Sequence, residues 1–97
     1  GEPFEEENRD DILELLKHIK KECPTKSIWV YSSFLYEEIM EWKQPLLDYV
    51  DVLVDGPFVN ELKDANLKFR GSSNQRIIDI KKTKENKEIT LVEFKEI

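Results

Sequence analysis

The sequence predicts an α/β fold in which helices and parallel strands alternate along the chain. Between Asn8 and Pro24, apolar side chains recur at helical spacing, and residues 27–32 are rich in β-branched and aromatic side chains. A short helical pattern and the apolar run at residues 50–54 then repeat this order. Such alternation is typical of parallel strands that are joined by helical crossovers.

The first predicted helix follows a loop at residues 1–7, in which Gly, Pro and three consecutive acidic residues discourage packing. Asn8 or Asp10 can cap the start of the helix, and Pro24 stops it. Its apolar residues recur at positions i, i+3, i+4 and i+7, which places them on one face. That predicted face consists of Ile12, Leu15, Leu16 and Ile19.

Residues 50–58 organise the rest of the prediction, because they contain the most apolar and β-branched run of the chain. A nearly continuous apolar run favours a strand that is covered on both faces. This strand delivers Asp55 and then breaks at Gly56 and Pro57. The helix that precedes it is short and stops at Pro45. Its predicted apolar face consists of Leu35, Ile39 and Trp42.

The last third of the chain predicts a C-terminal β-hairpin. Residues 76–80 and 88–94 have the composition of strands, and the polar residues 84–87 lie between them. Before the hairpin, residues 59–69 predict a loop with a helical turn. Residues 70–75 are almost wholly small and polar, which indicates a loop that bends closely or presents its backbone to a neighbour.

Length, charge and cysteine content limit the classes of function. The 97 residues make a single domain, residues 1–97, and the net charge of −6 argues against nonspecific binding to nucleic acid or to an anionic membrane. No apolar run is long enough to cross a bilayer. Cys23 is the only cysteine, so an internal disulfide is excluded and a reducing cytoplasm is the expected location.

Polar residues follow the predicted strands and mark a candidate site. In parallel sheets, ligands gather outside the carboxyl ends of the strands. We expect Glu2 and Asp55 to hold the amino group of a small ligand there. We expect the carboxylate of that ligand to meet Ser32, Ser33, Arg76 or backbone donors. An ordinary turn at residues 55–56 and a helix cap at residues 32–33 are the alternatives that the sequence leaves open.

Other catalytic chemistry finds little support in the sequence. His18 is the only histidine and lies among lysines on the polar side of the first helix, which indicates a solvated side chain. Together with Cys23 it makes neither a metal site nor a convincing Cys–His pair. Neither of the glycine-rich phosphate-binding motifs occurs.

Two stretches of the chain closely resemble anaerobic ribonucleotide reductase activating proteins, which are radical S-adenosylmethionine enzymes of the glycyl-radical activase group. They are Val-Asp-Val-Leu-Val-Asp-Gly-Pro-Phe at residues 50–58 and Leu-Lys-Phe-Arg-Gly-Ser-Ser-Asn-Gln-Arg-Ile-Ile-Asp at residues 67–79. Residues 1–3 look like the end of the family's Gly-Gly-Glu-Pro motif, and residues 28–34 resemble the strand that follows it. The resemblance covers essentially the whole chain.

The resemblance implies a C-terminal portion of a partial (β/α) radical-SAM barrel. In the full-length protein, a [4Fe-4S] cluster held by Cys-x-x-x-Cys-x-x-Cys cleaves S-adenosylmethionine, and the resulting radical abstracts hydrogen from a glycine of the large reductase subunit. The partner implied is therefore that subunit, with no nucleic acid and no membrane. By match, the residues that approach S-adenosylmethionine are Gly1, Glu2, Ser32 and Asp55, and we add Asn74 and Arg76 to this set.

The chain also departs from the family pattern. No three-cysteine motif is present, and Cys23 cannot replace it because a four-iron cluster needs several thiolates. We therefore expect the chain to hold no cluster and to be inactive by itself, with an unpaired sheet edge prone to self-association. Ser33 and Phe34 stand where the family usually has Gly-Tyr. The alternatives are a stand-alone α/β binding module without catalysis and a purely structural domain.

Overall fold

The computed structural model describes residues 2–93, and within them it contains one mixed three-stranded sheet. The strand order is β1-β2-β3, with β1 parallel to β2 and β3 antiparallel to it. The α/β class and the parallel pairing of the first two strands are therefore confirmed. The strands are β1 (Trp29–Tyr31), β2 (Val52–Asp55) and β3 (Arg76–Asp79).

Three α-helices accompany the sheet within the described residues: α1 (Arg9–Glu22), α2 (Tyr36–Met40) and α3 (Ile80–Asn86). Short 3-10 turns lie at Glu6–Asn8, Leu46–Tyr49 and Asn60–Leu62. The last of these confirms the helical turn predicted within residues 59–69. None of the helices in the described part of the chain is long and apolar enough to cross a membrane.

The central strand β2 is buried on both faces, as its apolar sequence predicts. Leu53 packs into the main core, which lies under α1 and α2. Val52 and Val54 face the opposite side of the sheet and pack with Ile77, where Val92 partly covers them. Strand β1 lies at an edge, because among residues 2–93 it pairs on one side only.

Helix α1 confirms the predicted amphipathic pattern except at one position. Leu16 is buried, whereas Leu15 is 50% exposed. Consecutive helical residues point about 100° apart, so one of two adjacent leucines must turn away from the core. Three further residues of α1 are partly buried and pack against the same core as Leu16: Ile12, Leu13 and Ile19.

The predicted C-terminal hairpin is wrong in its connection, because α3 lies where a turn was expected. The Asp79 carboxylate accepts a hydrogen bond of 2.9 Å from the backbone N–H of Lys82 and so caps the helix. After Lys87, in the left-handed conformation, the chain returns antiparallel to β3. The return forms an isolated bridge between Ile78 and Leu91, and the backbone N–H groups of Asp79 and Val92 donate to the carbonyls of Thr90 and Ile77, each at 2.9 Å. Phe94, the end of the second predicted strand, lies outside the described residues.

The cap on α3 gives a first prediction. Asp79→Ala removes the acceptor of the first turn and is expected to lower the free energy of unfolding by about 1 kcal/mol. Asp79→Asn keeps an oxygen acceptor at the same place and is expected to stay much closer to the parent protein. Urea denaturation followed by circular dichroism measures both. An equal decrease in the free energy of unfolding in the two variants would contradict a capping role for Asp79.

Candidate functional site

The carboxyl ends of β1 and β2 meet at one edge of the sheet, where a cleft of about 310 Å³ opens. The chain leaves β1 through Ser32, whose backbone N–H donates to the carbonyl of Val54 at 3.0 Å. It leaves β2 through Gly56, whose φ of 96° is a conformation that L side chains rarely adopt. The cleft is lined by Glu2, Pro3, Tyr31, Ser32, Ser33, Gly56, Phe58 and Gln75.

Glu2 lies in this cleft with its carboxylate bound to the end of β1, an arrangement called the Glu2 latch below. Its Oε1 accepts from the backbone N–H of Ser33 at 2.6 Å and from the Ser33 hydroxyl at 2.9 Å. Its Oε2 accepts from the Ser32 hydroxyl at 3.0 Å and from the backbone N–H of Phe4 at 2.7 Å. The predicted co-location of Glu2, Ser32 and Ser33 is therefore observed.

Among residues 2–93, the latch pairs the negative charge of Glu2 with no cation. Its donors are hydroxyl and amide groups, and the ion pairs formed within residues 2–93 do not include Glu2. The two amide donors are fixed by the backbone, whereas a serine hydroxyl can rotate and can also accept a hydrogen bond. A ligand cation can therefore approach Glu2 while Ser32 and Ser33 turn their hydroxyl protons away.

Asp55 lies behind the cleft rather than in its lining, and its side chain is fully buried. Its Oδ1 accepts from Nε of Arg76 at 3.0 Å, and its Oδ2 accepts from a terminal nitrogen of the same guanidinium. The backbone N–H of Tyr36 also donates to Oδ2 at 2.8 Å. The carboxylate therefore ties the start of α2 to β3.

Arg76 is paired with two carboxylates. Besides Asp55, its guanidinium donates to Oε1 of Glu37 at 2.7 Å. The hydrogen bond to Asp55 raises the pKa of Arg76, with a smaller contribution from Glu37, and this outweighs the opposite effect of burial. Asp55 and Arg76 are brought together as a pair next to the cleft, and a direct contact of either with a ligand stays a prediction.

The polar loop at residues 70–75 is held by its own side chains. The Gln75 carboxamide accepts from the backbone N–H groups of Gly71 and Ser72 at 2.8 and 3.1 Å, and it donates to the Gly56 carbonyl at 3.0 Å. A Cβ at Gly71 would lie 2.9 Å from the ring of Phe58, so a larger residue there would have to displace that ring. The loop thereby fixes two residues of the cleft, Phe58 and Gln75.

Asn74 belongs to this loop and does not line the cleft. Its amide donates to the Pro57 carbonyl at 2.8 Å, and its side-chain oxygen accepts from the hydroxyl of Ser72 at 2.6 Å. Gly1 lies outside the described residues. A ligand-binding role for either residue therefore stays a prediction.

Sequence reasoning did not single out four residues of the cleft lining: Pro3, Tyr31, Phe58 and Gln75. Gln75 stands between two residues that were singled out, Asn74 and Arg76, and Phe58 ends the strand-breaking run. The only sequence signal for these cleft residues was therefore their position next to residues that had been singled out. No composition rule separates a loop glutamine that faces a cleft from one that faces solvent.

The buried pair of Asp55 and Arg76 gives a second prediction. Arg76→Met leaves a buried carboxylate without its cation and is expected to lower the free energy of unfolding by about 3 kcal/mol. The additional change Asp55→Asn removes that charge, so the double variant should recover part of the loss. Lys84→Met breaks the exposed pair with Asp48 and should cost less than about 1 kcal/mol. Urea denaturation measures all three, and similar losses for Arg76→Met and Lys84→Met would contradict the prediction.

Comparison with known proteins agrees with the resemblance seen in the sequence. Residues 1–78 match the model of the 4Fe-4S single cluster domain. The chain is 45% identical to a protein of Escherichia coli K12 over 75 residues, which are 77% of this chain and 49% of the relative. It is 43% identical to one of Vibrio cholerae over 77 residues, which are 79% of this chain and 50% of the relative.

A relative from bacteriophage T4 is 36% identical over 77 residues, which are 79% of this chain and 47% of the relative. All three relatives are named anaerobic ribonucleoside-triphosphate reductase-activating protein. The chain spans about half the length of the curated relatives that it matches. No solved structure matches it.

Proposed function

The chain belongs to the 4Fe-4S single cluster domain family, and from this premise we propose that it is part of an activase of anaerobic ribonucleotide reductase. Within that activase it supplies one side of the S-adenosylmethionine site. The observation that carries the proposal is the Glu2 latch, a carboxylate at the carboxyl ends of two parallel strands that forms no ion pair within residues 2–93. The shared name of the relatives supports the activase assignment.

The cleft fits the methionyl end of S-adenosylmethionine by charge and by donor type. Its ammonium group would bind the Glu2 carboxylate, with the oxygens of Ser32 and Ser33 as further acceptors once their hydroxyls rotate. The amide of Ser33 would keep the carboxylate in place during this exchange. In the complete enzyme, bound S-adenosylmethionine would accept one electron from the cluster, and its cleavage would supply a carbon radical that abstracts a hydrogen atom from a glycine of the reductase.

The residues of this chain do not fit an iron–sulfur cluster. Cys23 is the only cysteine of the sequence, and it is exposed at the end of α1. Among residues 2–93, no group of three or more His, Cys, Asp or Glu side chains could hold a metal ion. Since a four-iron cluster needs several thiolates, we propose that the chain is inactive by itself and that cluster ligands come from outside these 97 residues.

The sheet supports the proposal that this domain is part of a larger partial barrel. In the described part of the chain, the outer edge of β1 has no paired strand. An open edge presents unpaired N–H and C=O groups to any extended segment. We propose that a further strand of the complete protein pairs there, and that the isolated chain self-associates through the same edge. The large reductase subunit is the proposed partner of the complete protein.

A stand-alone binding module is the second candidate, and the missing cysteines favour it. The two candidates differ in what precedes Gly1 in the gene. An upstream Cys-x-x-x-Cys-x-x-Cys in the same reading frame would support the activase, and a start codon near Gly1 without that motif would support the binding module.

Ligand binding through Glu2 gives a third prediction. Glu2→Gln removes the charge that the ammonium group would meet, and it is expected to raise the Kd for S-adenosylmethionine by about tenfold. Nuclear magnetic resonance titration of the 97-residue chain measures the Kd. Methylthioadenosine lacks the amino group, so its Kd should not change.

Glu14→Gln is the matched control for charge. Glu14 is an exposed carboxylate on α1 that pairs with Lys17 and lies outside the cleft. Its removal changes the net charge of the protein as Glu2→Gln does and should leave the Kd unchanged. Equal affinity of the parent protein and Glu2→Gln for S-adenosylmethionine would contradict the proposed site.

A further inference from the structure

We propose that Arg9 is a positioning residue for the cleft, holding the segment that carries Glu2 over the end of β1. The inference rests on the proposed function, because it concerns the same cleft. Glu2 precedes the first helical turn, so no helix or strand fixes its backbone. Its carboxylate can present a constant geometry to a ligand only if something else anchors the segment.

Phe4 is that anchor. Its side chain is fully buried, although it lies outside every helix and strand. Its backbone N–H donates to Oε2 of Glu2 at 2.7 Å, and its carbonyl accepts from Nε of Arg9 at 2.9 Å. A single residue thus joins the ligand-facing carboxylate to the first residue of α1.

The guanidinium of Arg9 also packs on aromatic rings. Its central carbon lies 3.4 Å from the ring centroid of Trp42 and 5.8 Å from that of Phe34. The Trp42 ring meets Phe4 edge to face at a centroid distance of 6.1 Å, and it meets Phe34 in the same way at 5.0 Å. Arg9 therefore lies between the segment that carries Glu2 and the segment that carries Ser32 and Ser33.

The second of those segments carries the serines of the latch. The backbone N–H of Phe34 donates to the hydroxyl oxygen of Ser32 at 3.1 Å, and that hydroxyl donates to Glu2. Arg9 thus contacts Phe4 on the Glu2 side and Phe34 on the serine side. Packing of the Phe4 and Phe34 rings against Trp42 holds the Glu2 carboxylate and its serine donors in a fixed relative position.

An arginine suits this role because its guanidinium is planar, stacks on aromatic faces and donates from a fixed fork. Within residues 2–93, Arg9 donates to one carbonyl, packs on two aromatic rings and takes part in none of the ion pairs. It therefore places Glu2 without neutralising it, and the carboxylate keeps its charge for the ligand cation.

The test combines a ligand measurement with a measurement that needs no ligand. Arg9→Met is expected to raise the Kd for S-adenosylmethionine about fivefold. In the Glu2→Gln background the same change should have no further effect, because Arg9 acts through Glu2. Hydrogen exchange at the Ser33 amide, which Glu2 protects, should accelerate in Arg9→Met while exchange at Val54 does not.

Two further variants control for charge and for folding. Lys17→Met removes a partly exposed cation from the same helix and should change neither measurement. Arg9→Lys keeps the charge but loses the planar stack and the fork, so it should accelerate Ser33 exchange in a protein whose core is unchanged. If Arg9→Met fails to fold, Arg9→Lys answers the same question.

The outcomes separate the two proposals. If the parent protein does not bind S-adenosylmethionine, the proposed function fails, and Ser33 exchange still decides whether Arg9 positions Glu2. If Ser33 exchange in the folded variants equals that of the parent protein, the role of Arg9 is overturned. A loss of affinity that persists in the Glu2→Gln background would overturn it as well.

Discussion

The structure depends on one constraint, the burial of the Asp55 carboxylate at the end of a strand that is covered on both faces. A buried charge needs a partner and hydrogen bonds. Arg76 provides the charge from β3, directly opposite Asp55 in the antiparallel register, and the backbone of Tyr36 provides a further donor from α2. Satisfying this single group thus sets the register of β3 and the position of the helix that follows β1.

The two acidic residues at this edge have different roles because their surroundings differ. Asp55 is wholly buried and compensated by a guanidinium, so its charge is used within the fold. Glu2 is partly exposed, and hydroxyl and amide groups donate hydrogen bonds to its carboxylate, which forms no ion pair in the described part of the chain. A cationic ligand gains most from the second kind of carboxylate. The same edge therefore contains one buried acid that is paired with an arginine and one partly exposed acid that forms no ion pair within residues 2–93.

The sequence predicts much of this fold because its local signals are strong. Helical spacing placed α1, and the apolar run from Val50 predicted a strand buried on both faces. The turn of the predicted hairpin was wrong because the lysines and the glutamate after Asp79 favour a helix behind a capping carboxylate, and that local preference prevailed over a turn. The pairing of Asp55 with Arg76 was beyond prediction. A carboxylate at a strand end looks the same in sequence whether it faces a ligand or an arginine.

The position of Glu2 shows why a strand-end cleft cannot be understood from the sheet alone. Parallel strands deliver Ser32 and Gly56 to one edge, but the carboxylate arrives on a segment that belongs to neither strand. That segment is held through Phe4, which is buried among groups from α1 and from the chain around α2. The cleft is therefore supported from two directions, by the sheet beneath the serines and by the helix beneath Glu2. A change at the start of α1 reaches the cleft although no residue of α1 lines it.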